Sequence, residues 1–252
     1  MKFICLPGRY SNSKTMAAQM GPLCQAMESD KVDFCFTQAP FPCKPPADFL
    51  EYFGAPPFYR WYAVAIPPEE ERRLLDEHYR RGGDVQKSGD ILREIFAGIK
   101  PEDFRLSCDS IRQAIDAEGD VEGIIGFSEG ASMAATFLLD EQRRQKEEQG
   151  YQPRIRYAIL FNGTPPLQLK DGKSELVMDP DTDTDTDTEI SVRSLHVFCT
   201  TDPFLGATMD LYNAFDPETA ELYDSGSGHL IPRDPQALQA LREAILRTIR
   251  SD

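Results

Sequence analysis

The stretch IIGFSEGASM, residues 124 to 133, places Ser128 between Gly126 and Gly130 in the pattern G-x-S-x-G. The preceding residues VEGII are typical of a buried strand, and the following EGASMAATFLLDEQRRQ is typical of a helix. A sharp turn from strand to helix raises a serine hydroxyl above a parallel sheet, where it can act as a nucleophile. The alternative is that Ser128 only caps the helix, since serine is favoured there. A cap explains the serine but not both glycines.

Outward from this turn, short apolar runs alternate with longer amphipathic segments. The runs predict strands at Lys2–Leu6, Val32–Phe36, Glu122–Gly126, Ile155–Phe161, Leu195–Thr200 and Glu221–Tyr223. The amphipathic segments predict helices at Thr15–Glu28, Glu69–Arg81, Glu102–Glu118, Glu129–Glu148 and Pro235–Ile249. This alternation predicts an α/β fold with a mostly parallel sheet flanked by helices, in a single domain over residues 1–252. Sites in such sheets lie beyond the carboxyl ends of the strands, where Gly8, Ser128, Asp202 and His229 fall.

A serine nucleophile needs a base, and the chain has three histidines. His78 lies in a charged helix, and His196 lies inside a strand, where a packed core histidine is expected. His229 follows the last strand in the glycine-rich segment SGSGH. We therefore predict that His229 is the base.

The acid that orients this base should lie between serine and histidine in the chain. Asp202 follows directly after a predicted strand, although an aspartate before proline also begins turns. Asp210, on a following helix, and Asp224, nearer to His229, are the alternatives. The position after a strand end favours Asp202.

Main-chain N–H groups can stabilise an oxyanion without leaving a side-chain signature. The N–H of Glu129 follows the nucleophile, and a second donor is expected in the loop after the first strand, from Arg9 or, as the next choice, Tyr10. The Glu129 side chain is expected to be solvated or hydrogen-bonded locally.

Two stretches depart from the alternation. Residues 38–68, rich in proline and aromatic residues, predict an irregular cap over a pocket, within a cap or lid region over residues 38–100; the alternative is a surface loop whose aromatics join the core. The run DTDTDTDT, residues 181–188, lacks the glycine and glutamate of a calcium loop, so residues 171–190 are expected to form an acidic, mobile loop.

Composition narrows the class of protein. The chain has 252 residues, 40% of them hydrophobic, and a formal net charge of −15, which argues against nucleic acid or an anionic membrane surface as partner. The six cysteines lack metal-type spacing, and residues 226–228 lack the rest of a dinucleotide fingerprint, so no cofactor and no metal is expected. No signal peptide or membrane span is evident, which predicts a cytoplasmic protein.

The motifs ICLPGRYSN, FTQAPFP, FYRWY, GFSEGAS, CTTDPF and GSGHLIPR together resemble the fungal family of serine hydrolases 1, within the α/β-hydrolase superfamily. The resemblance covers most of the chain. The chain looks most like the family members encoded beside fungal polyketide synthases, including releasing thioesterases of the lovastatin type. The resemblance implies a triad of Ser128, Asp202 and His229 that hydrolyses an acyl thioester or ester, with a polyketide chain on a carrier domain as the expected substrate.

Other functional residues remain open at this point. Candidates for an apolar acyl pocket, each of which could equally be core, are Phe41, Phe58, Tyr59, Trp61, Phe204 and Leu230. Two basic clusters could dock an acidic carrier or could simply be solvated helix faces: Arg72, Arg73, Arg80 and Arg81, and Arg143, Arg144 and Lys146. The alternatives are a carboxylesterase that acts on free small esters, a non-hydrolytic binding protein on the same fold, and an enzyme that cleaves a carbon–carbon bond of a polyketide or cyclises it in the same site. Oligomeric state is not indicated.

Overall fold

The fold is built around a parallel sheet. The structure is a computed structural model, which describes residues 1–46, 56–80, 85–177 and 188–250 and gives the backbone alone for 78–80 and 85–88. In chain order the elements are β1 (Lys2–Leu6), α1 (Ser13–Met27), β2 (Asp33–Phe36), β3 (Phe41–Cys43), β4 (Phe58–Arg60), α2 (Pro68–Arg80), α3 (Val85–Phe96), α4 (Pro101–Glu118), β5 (Val121–Phe127), α5 (Glu129–Glu147), β6 (Tyr157–Phe161), β7 (Leu167–Lys170), β8 (Lys173–Leu176), β9 (Arg193–Phe198), α6 (Leu205–Asn213), β10 (Ala220–Asp224) and α7 (Pro235–Arg250). A short 3₁₀ turn, Glu28–Asp30, follows α1.

Within the described residues, six strands form the main sheet in the order β10-β9-β6-β5-β1-β2. Every neighbouring pair is parallel, and β5 lies between β1 and β6. The carboxyl ends of all six strands therefore meet at one edge. This edge receives the turns after β1, β5, β9 and β10, which carry the predicted nucleophile, base, acid and oxyanion donors.

Helices cover both faces of the sheet, with one apolar core on each. On one face, Met20 of α1 and Leu241 of α7 pack with Ile159 of β6. On the other, Cys108 of α4 and Phe137 of α5 pack with Ile124 of β5. Burial on both faces explains why β6, with all five residues buried, is a continuous apolar run. The predicted fold class is confirmed, and each predicted strand and helix of the main body lies within a few residues of its predicted position.

The predicted cap region, 38–100, contains more regular structure than expected. Strands β3 and β4 pair antiparallel, and helix α3 follows α2. The sequence did not predict α3 because its apolar residues, such as Leu92, Ile95 and Phe96, are concentrated in its second half. Residues 47–55 of this region lie outside the described part of the chain.

The expectation of an acidic loop over residues 171–190 is wrong for its first part. β7 and β8 form a hairpin whose turn is Asp171–Gly172, with φ of 50° and 74°. Both residues are left-handed, which is the conformation that Asp-Gly favours in two-residue hairpins. Most of the DTDTDTDT run, residues 181–187, lies outside the described residues. Among the helices that are described, none has the length and apolar character needed to cross a membrane.

Candidate active site

Ser128 occupies a strained turn between β5 and α5. Its φ of 54° and ψ of −121° lie outside the regions that most residues with a side chain adopt. The turn is held by its main-chain N–H, which donates to Phe161 of β6 at 2.8 Å. Its hydroxyl makes no capping bond to helix α5. The helix-cap alternative therefore does not describe this side chain.

The two flanking glycines are required by close backbone approach. A Cβ on Gly126 would lie 2.4 Å from the Ala131 Cα, and one on Gly130 would lie 2.3 Å from the Leu6 carbonyl oxygen. Neither contact is sterically possible without movement of main chain. The glycines thus allow α5 to pack tightly over β1 and β5 directly beneath Ser128.

His229 joins Ser128 to Asp202. The His229 Nε2 lies 3.0 Å from the Ser128 Oγ, and its Nδ1 lies 2.7 Å from the Asp202 Oδ2. An ionised carboxylate can only accept hydrogen bonds, so the bond to Asp202 requires the proton on Nδ1. Nε2 is then free to accept the serine proton, which is the arrangement needed to activate a hydroxyl.

The Asp202 side chain is buried, with 1% of its surface exposed, and every hydrogen bond it receives favours the charged form. Burial by itself would raise its pKa, but His229, the Phe204 N–H and the Asn162 amide hold the pKa of Asp202 below its usual value. The Asn162 Nδ2 donates to Oδ2 at 2.7 Å. Asn162, with φ of 47°, follows β6 at the same sheet edge and was not predicted from the sequence.

The alternative bases and acids lie elsewhere. His196 is fully buried between the rings of Tyr212 and Phe215, and burial lowers its pKa to about 3, as expected for a neutral core histidine. The Asp224 carboxylate accepts from Thr200 and from the Gly226 N–H. Asp210 lies within α6, and His78 lies in α2 with its side chain outside the described residues.

Glu129 and Arg9, the residues predicted to donate main-chain N–H groups to an oxyanion, both line the cavity that contains Ser128. Within the described residues, the N–H groups of Glu129 and Arg9 have no protein acceptor, and both residues contribute to the cavity wall. The Tyr10 N–H instead donates to the Tyr59 carbonyl at 2.9 Å, which excludes the second-choice donor. Glu129 and Arg9 therefore stay the predicted donors.

The Glu129 side chain corrects the expectation that it is solvated or locally bonded. It is buried, and its Oε1 accepts from the Trp61 N–H at 2.6 Å while Oε2 pairs with Arg60 at 3.4 Å. Arg60 also binds Glu71 through two hydrogen bonds, of 3.0 and 3.1 Å, and Arg9 pairs with the same carboxylate. The sequence could not reveal this network because its members lie up to 120 residues apart.

A cavity of about 310 Å³ opens over Ser128 and His229, large enough for a chain of several carbon atoms. Its apolar wall comes chiefly from α2 and α3, through Leu75, Leu92, Ile95 and Phe96. Ser11, Thr15 and Gln19, at the start of α1 and on one face of it, line the cavity as polar residues. Among the described residues, the Ser11 Oγ and Gln19 Oε1 are buried without a hydrogen-bond partner.

Of the six predicted pocket residues, the structure places Phe204 and Leu230 in this cavity wall. Trp61 belongs to the core, because it is fully buried and its indole N–H donates to the Pro7 carbonyl at 2.8 Å. Phe58 is buried in β4, and its neighbour Tyr59 packs against the core. Phe41 lies in β3, paired with Arg60. These four were predicted as pocket residues on aromatic character alone, which core packing shares.

The predicted basic clusters are paired with acids. Arg72 pairs with Asp76, and Arg73 pairs with Glu70 and Glu77. On α5, Arg143 pairs with Glu147, and Arg144 pairs with Glu148. The Arg80 side chain and Arg81 lie outside the described residues, and Lys146 lies on α5 in the same region as Arg143. Mixed charges of this kind are typical of solvated helix faces.

Proteins with similar sequences are fungal esterases and hydrolases. The probable esterase tazC of Aspergillus terreus is 27% identical over 98% of this chain and 91% of its own length. The hydrolase phiM of Talaromyces stipitatus is 26% identical over 94% of this chain and 83% of its own. The esterase citA of Monascus ruber is 26% identical over 92% and 85%. Each alignment spans nearly the whole molecule.

Solved structures show the same fold. Acyl-protein thioesterase 2 of Zea mays superimposes with a TM-score of 0.52 at 13% identity, covering 99% of this chain and 94% of the other. A Bacillus cereus carboxylesterase gives 0.51 at 13% identity, covering 98% and 87%. At the sequence level, the family model described as serine hydrolase (FSH1) matches residues 1–241. The chain therefore has the α/β-hydrolase fold and is an enzyme of the FSH1 family of serine hydrolases.

Proposed function

We propose that this hydrolase releases an acyl chain, most naturally a polyketide chain, from the carrier domain of a synthase by cleaving its thioester through a covalent acyl-enzyme. The observation that carries the chemistry is the run of hydrogen-bonding distances from Ser128 through His229 to Asp202, of 3.0 and 2.7 Å. His229 can take the proton of the Ser128 hydroxyl, and Asp202 can orient His229 and stabilise the imidazolium that forms.

The proposed reaction has two steps. His229 Nε2 takes the Ser128 proton as the oxygen attacks the acyl carbon, and the imidazolium then protonates the leaving thiol. Water, deprotonated by His229, next attacks the acyl-serine ester, and the imidazolium returns this proton to the Ser128 oxygen as the acid leaves. Asp202 stabilises the imidazolium in both steps, and the N–H groups of Glu129 and Arg9 donate to the oxyanion.

The cavity supports a substrate of mixed polarity. An unsubstituted alkyl chain would match the apolar side formed by α2 and α3 but would place hydrocarbon against the polar residues Ser11, Thr15 and Gln19. Buried polar atoms left unpaired cost free energy, on the order of 1–3 kcal/mol each. A chain that carries hydroxyl groups fits both sides of the cavity.

The carrier partner is a further part of the proposal. With a net charge of −15, this chain can attract an acidic carrier only through local positive charge. Arg73 on α2 and the pair Arg143 and Arg144 on α5 are the exposed or half-exposed candidates. Replacing all three by glutamate is expected to slow release from a carrier and to leave hydrolysis of a small-thiol thioester unchanged. Equal rates from the carrier would refute docking through these clusters.

The test of the activity compares turnover of three substrates with the same acyl group: a carrier-bound thioester, an N-acetylcysteamine thioester and an oxygen ester. The proposal predicts the highest kcat/KM for the carrier-bound chain and loss of all three activities in Ser128→Ala. Preference for the free oxygen ester would identify a carboxylesterase instead. Absence of turnover with every substrate would favour a binding protein.

A further inference from the structure

Both main-chain donors beside Ser128 belong to residues whose side chains enter one buried network of charges. Glu129 follows the nucleophile, and Arg9 follows β1, 120 positions earlier in the chain. Both residues line the same cavity, and their N–H groups have no protein acceptor among the described residues. What fixes the spacing between two donors on different loops is therefore a structural question.

The side chains answer it. The Glu129 carboxylate pairs with Arg60 at 3.4 Å and accepts from the Trp61 N–H at 2.6 Å. Arg60 uses its two terminal nitrogens to bind Glu71 at 3.0 and 3.1 Å. Glu71 in turn pairs with Arg9 and accepts from the Tyr10 hydroxyl at 3.0 Å. Direct ion pairs between side chains thus connect Arg9 to Glu129 through Glu71 and Arg60.

Burial makes this connection rigid. Glu71 is 1% exposed and Arg60 is 7% exposed. Two arginines and two glutamates balance in charge, so the network can hold geometry without adding net charge at the nucleophile. In a buried site, ionic hydrogen bonds of this kind are strong and directional.

We infer that Arg60 and Glu71 are positioning residues, which set the distance between the Arg9 and Glu129 N–H donors and thereby form the oxyanion hole. The inference rests on the proposed function, because it requires an oxyanion at Ser128. Neither side chain touches the reacting atoms. Their effect is transmitted through the side chains of the two donor residues to their main chains.

The expected effect lies in turnover rather than in substrate binding. Displacement of a donor by about 1 Å can cost on the order of 100-fold in rate, and complete loss of one donor costs at least as much. Arg60→Lys keeps the charge but cannot bind Glu71 through a two-nitrogen fork. We expect its kcat to fall by about 10- to 100-fold with KM within about threefold of wild type. Glu71→Gln should fall in the same direction.

A matched control is available on the far side of the molecule. Arg112 of α4 is also an ion-paired, largely buried arginine, bound to Asp140 and, at 2.8 Å, to Glu141 of α5, and it does not line the cavity. Arg112→Lys should lower the midpoint of thermal unfolding and leave kcat unchanged. If Glu71→Gln fails to fold, Arg60→Lys and Tyr10→Phe, which removes one hydrogen bond to Glu71, provide the milder series.

The experiment measures kcat, KM and the inhibition constant of benzeneboronic acid, which forms a tetrahedral adduct with serine, for wild type, Ser128→Ala, Arg60→Lys, Glu71→Gln and Arg112→Lys. The inference predicts that boronate affinity falls in parallel with kcat in the Arg60 and Glu71 variants alone. Wild-type kcat in Arg60→Lys, or reduced kcat with unchanged boronate affinity, would overturn it. Equal activity of wild type and Ser128→Ala would instead refute the proposed function.

Discussion

At the scale of single residues, Asp202 is the group that holds His229 by a hydrogen bond to Nδ1. It is buried, it accepts from His229, Asn162 and the Phe204 N–H, and its pKa lies below the usual value despite burial. It therefore remains ionised throughout the neutral range and holds one tautomer of His229. Asp224, nearer to His229 in the chain, bonds instead to Thr200 and to its own loop.

The two aspartates form a matched pair for mutation. Asp202→Asn is expected to reduce kcat by about 10³- to 10⁴-fold, because an amide can place the wrong tautomer of His229 toward Ser128. Asp224→Asn is expected to keep kcat within about threefold of wild type. Steady-state kinetics on one thioester, with circular dichroism to confirm folding, makes the comparison. Similar losses of kcat in the two variants would show that Asp202 is not the acid that orients His229.

Gln19 should govern which acyl chains are accepted. Its side chain is polar and the residue lines the cavity, whereas leucine at this position would extend the apolar wall. Gln19→Leu is expected to reduce kcat/KM for a hydroxylated acyl thioester by about 10-fold, the value of one hydrogen bond of roughly 1.4 kcal/mol. For the unsubstituted chain of the same length, kcat/KM should be equal or higher. A uniform change for both chains would show that Gln19 does not read substituents.

Single residues also show what sequence can predict. Ser128, Asp202 and His229 could be selected because each follows a strand, and parallel strands bring such positions to one edge. Asn162 likewise follows directly after strand β6, so its position in the sequence also indicates the site edge of the sheet. Trp61 was assigned to the pocket because aromatic composition does not distinguish a cavity wall from a core.

At the scale of elements, the contact between α5 and β1 determines where Ser128 lies. Gly130 of α5 packs against the Leu6 carbonyl of β1 so closely that no Cβ fits between them. The elbow pattern was therefore predictable from sequence because the packing demands it. Hairpin β7–β8 was equally predictable from Asp171–Gly172, but residues 171–190 were predicted as one loop because of the acidic repeat that follows the hairpin.

Two glycines on helices test this contact. Gly130→Ala should lower the free energy of unfolding by about 1–3 kcal/mol, since the new methyl forces main chain apart. Gly21→Ala in α1 meets no atom within 4 Å outside its chain neighbours, and its gain in helix propensity is opposed by the following Pro22, so it should change this free energy by less than about 0.5 kcal/mol. Urea denaturation of both variants measures the difference. A neutral Gly130→Ala would contradict the packing described for the elbow.

The link between α2 and β4 should make stability depend on pH. Burial alone would raise the pKa of Glu71, but Arg9, Arg60 and the hydrogen bonds lower it from 4.5 to about 2. Because the unfolded chain binds this proton first, the stabilisation is complete above pH 4.5 and is lost as pH falls toward 2. The loss amounts to roughly 3 kcal/mol.

Glu71→Gln should remove this dependence. The variant is expected to be less stable than wild type at pH 7, because Arg9 and Arg60 lose their shared carboxylate, and its free energy of unfolding should decline less between pH 5 and pH 3. Urea titrations at several pH values provide the curves. Parallel wild-type and variant curves would show that Glu71 does not titrate as described.

At the scale of the whole molecule, the fold class and the family follow from the alternation of strands and helices and from motifs spread along the chain. The network of Arg9, Arg60, Glu71 and Glu129 does not follow from either, since its members come from four separate segments that only the folded chain brings together. Ionic contacts between distant segments have no periodicity to detect. The sequence therefore identifies the candidate nucleophile, whereas the ion pairs around it are found only in the folded structure.

The central claim is that Ser128 is the nucleophile. It is tested most directly by incubating the protein with a fluorophosphonate and locating the adduct by peptide mass spectrometry. The account predicts one adduct on Ser128, absent in Ser128→Ala and strongly slowed in His229→Ala. No adduct on the wild-type protein, or an adduct that persists in Ser128→Ala, would contradict it.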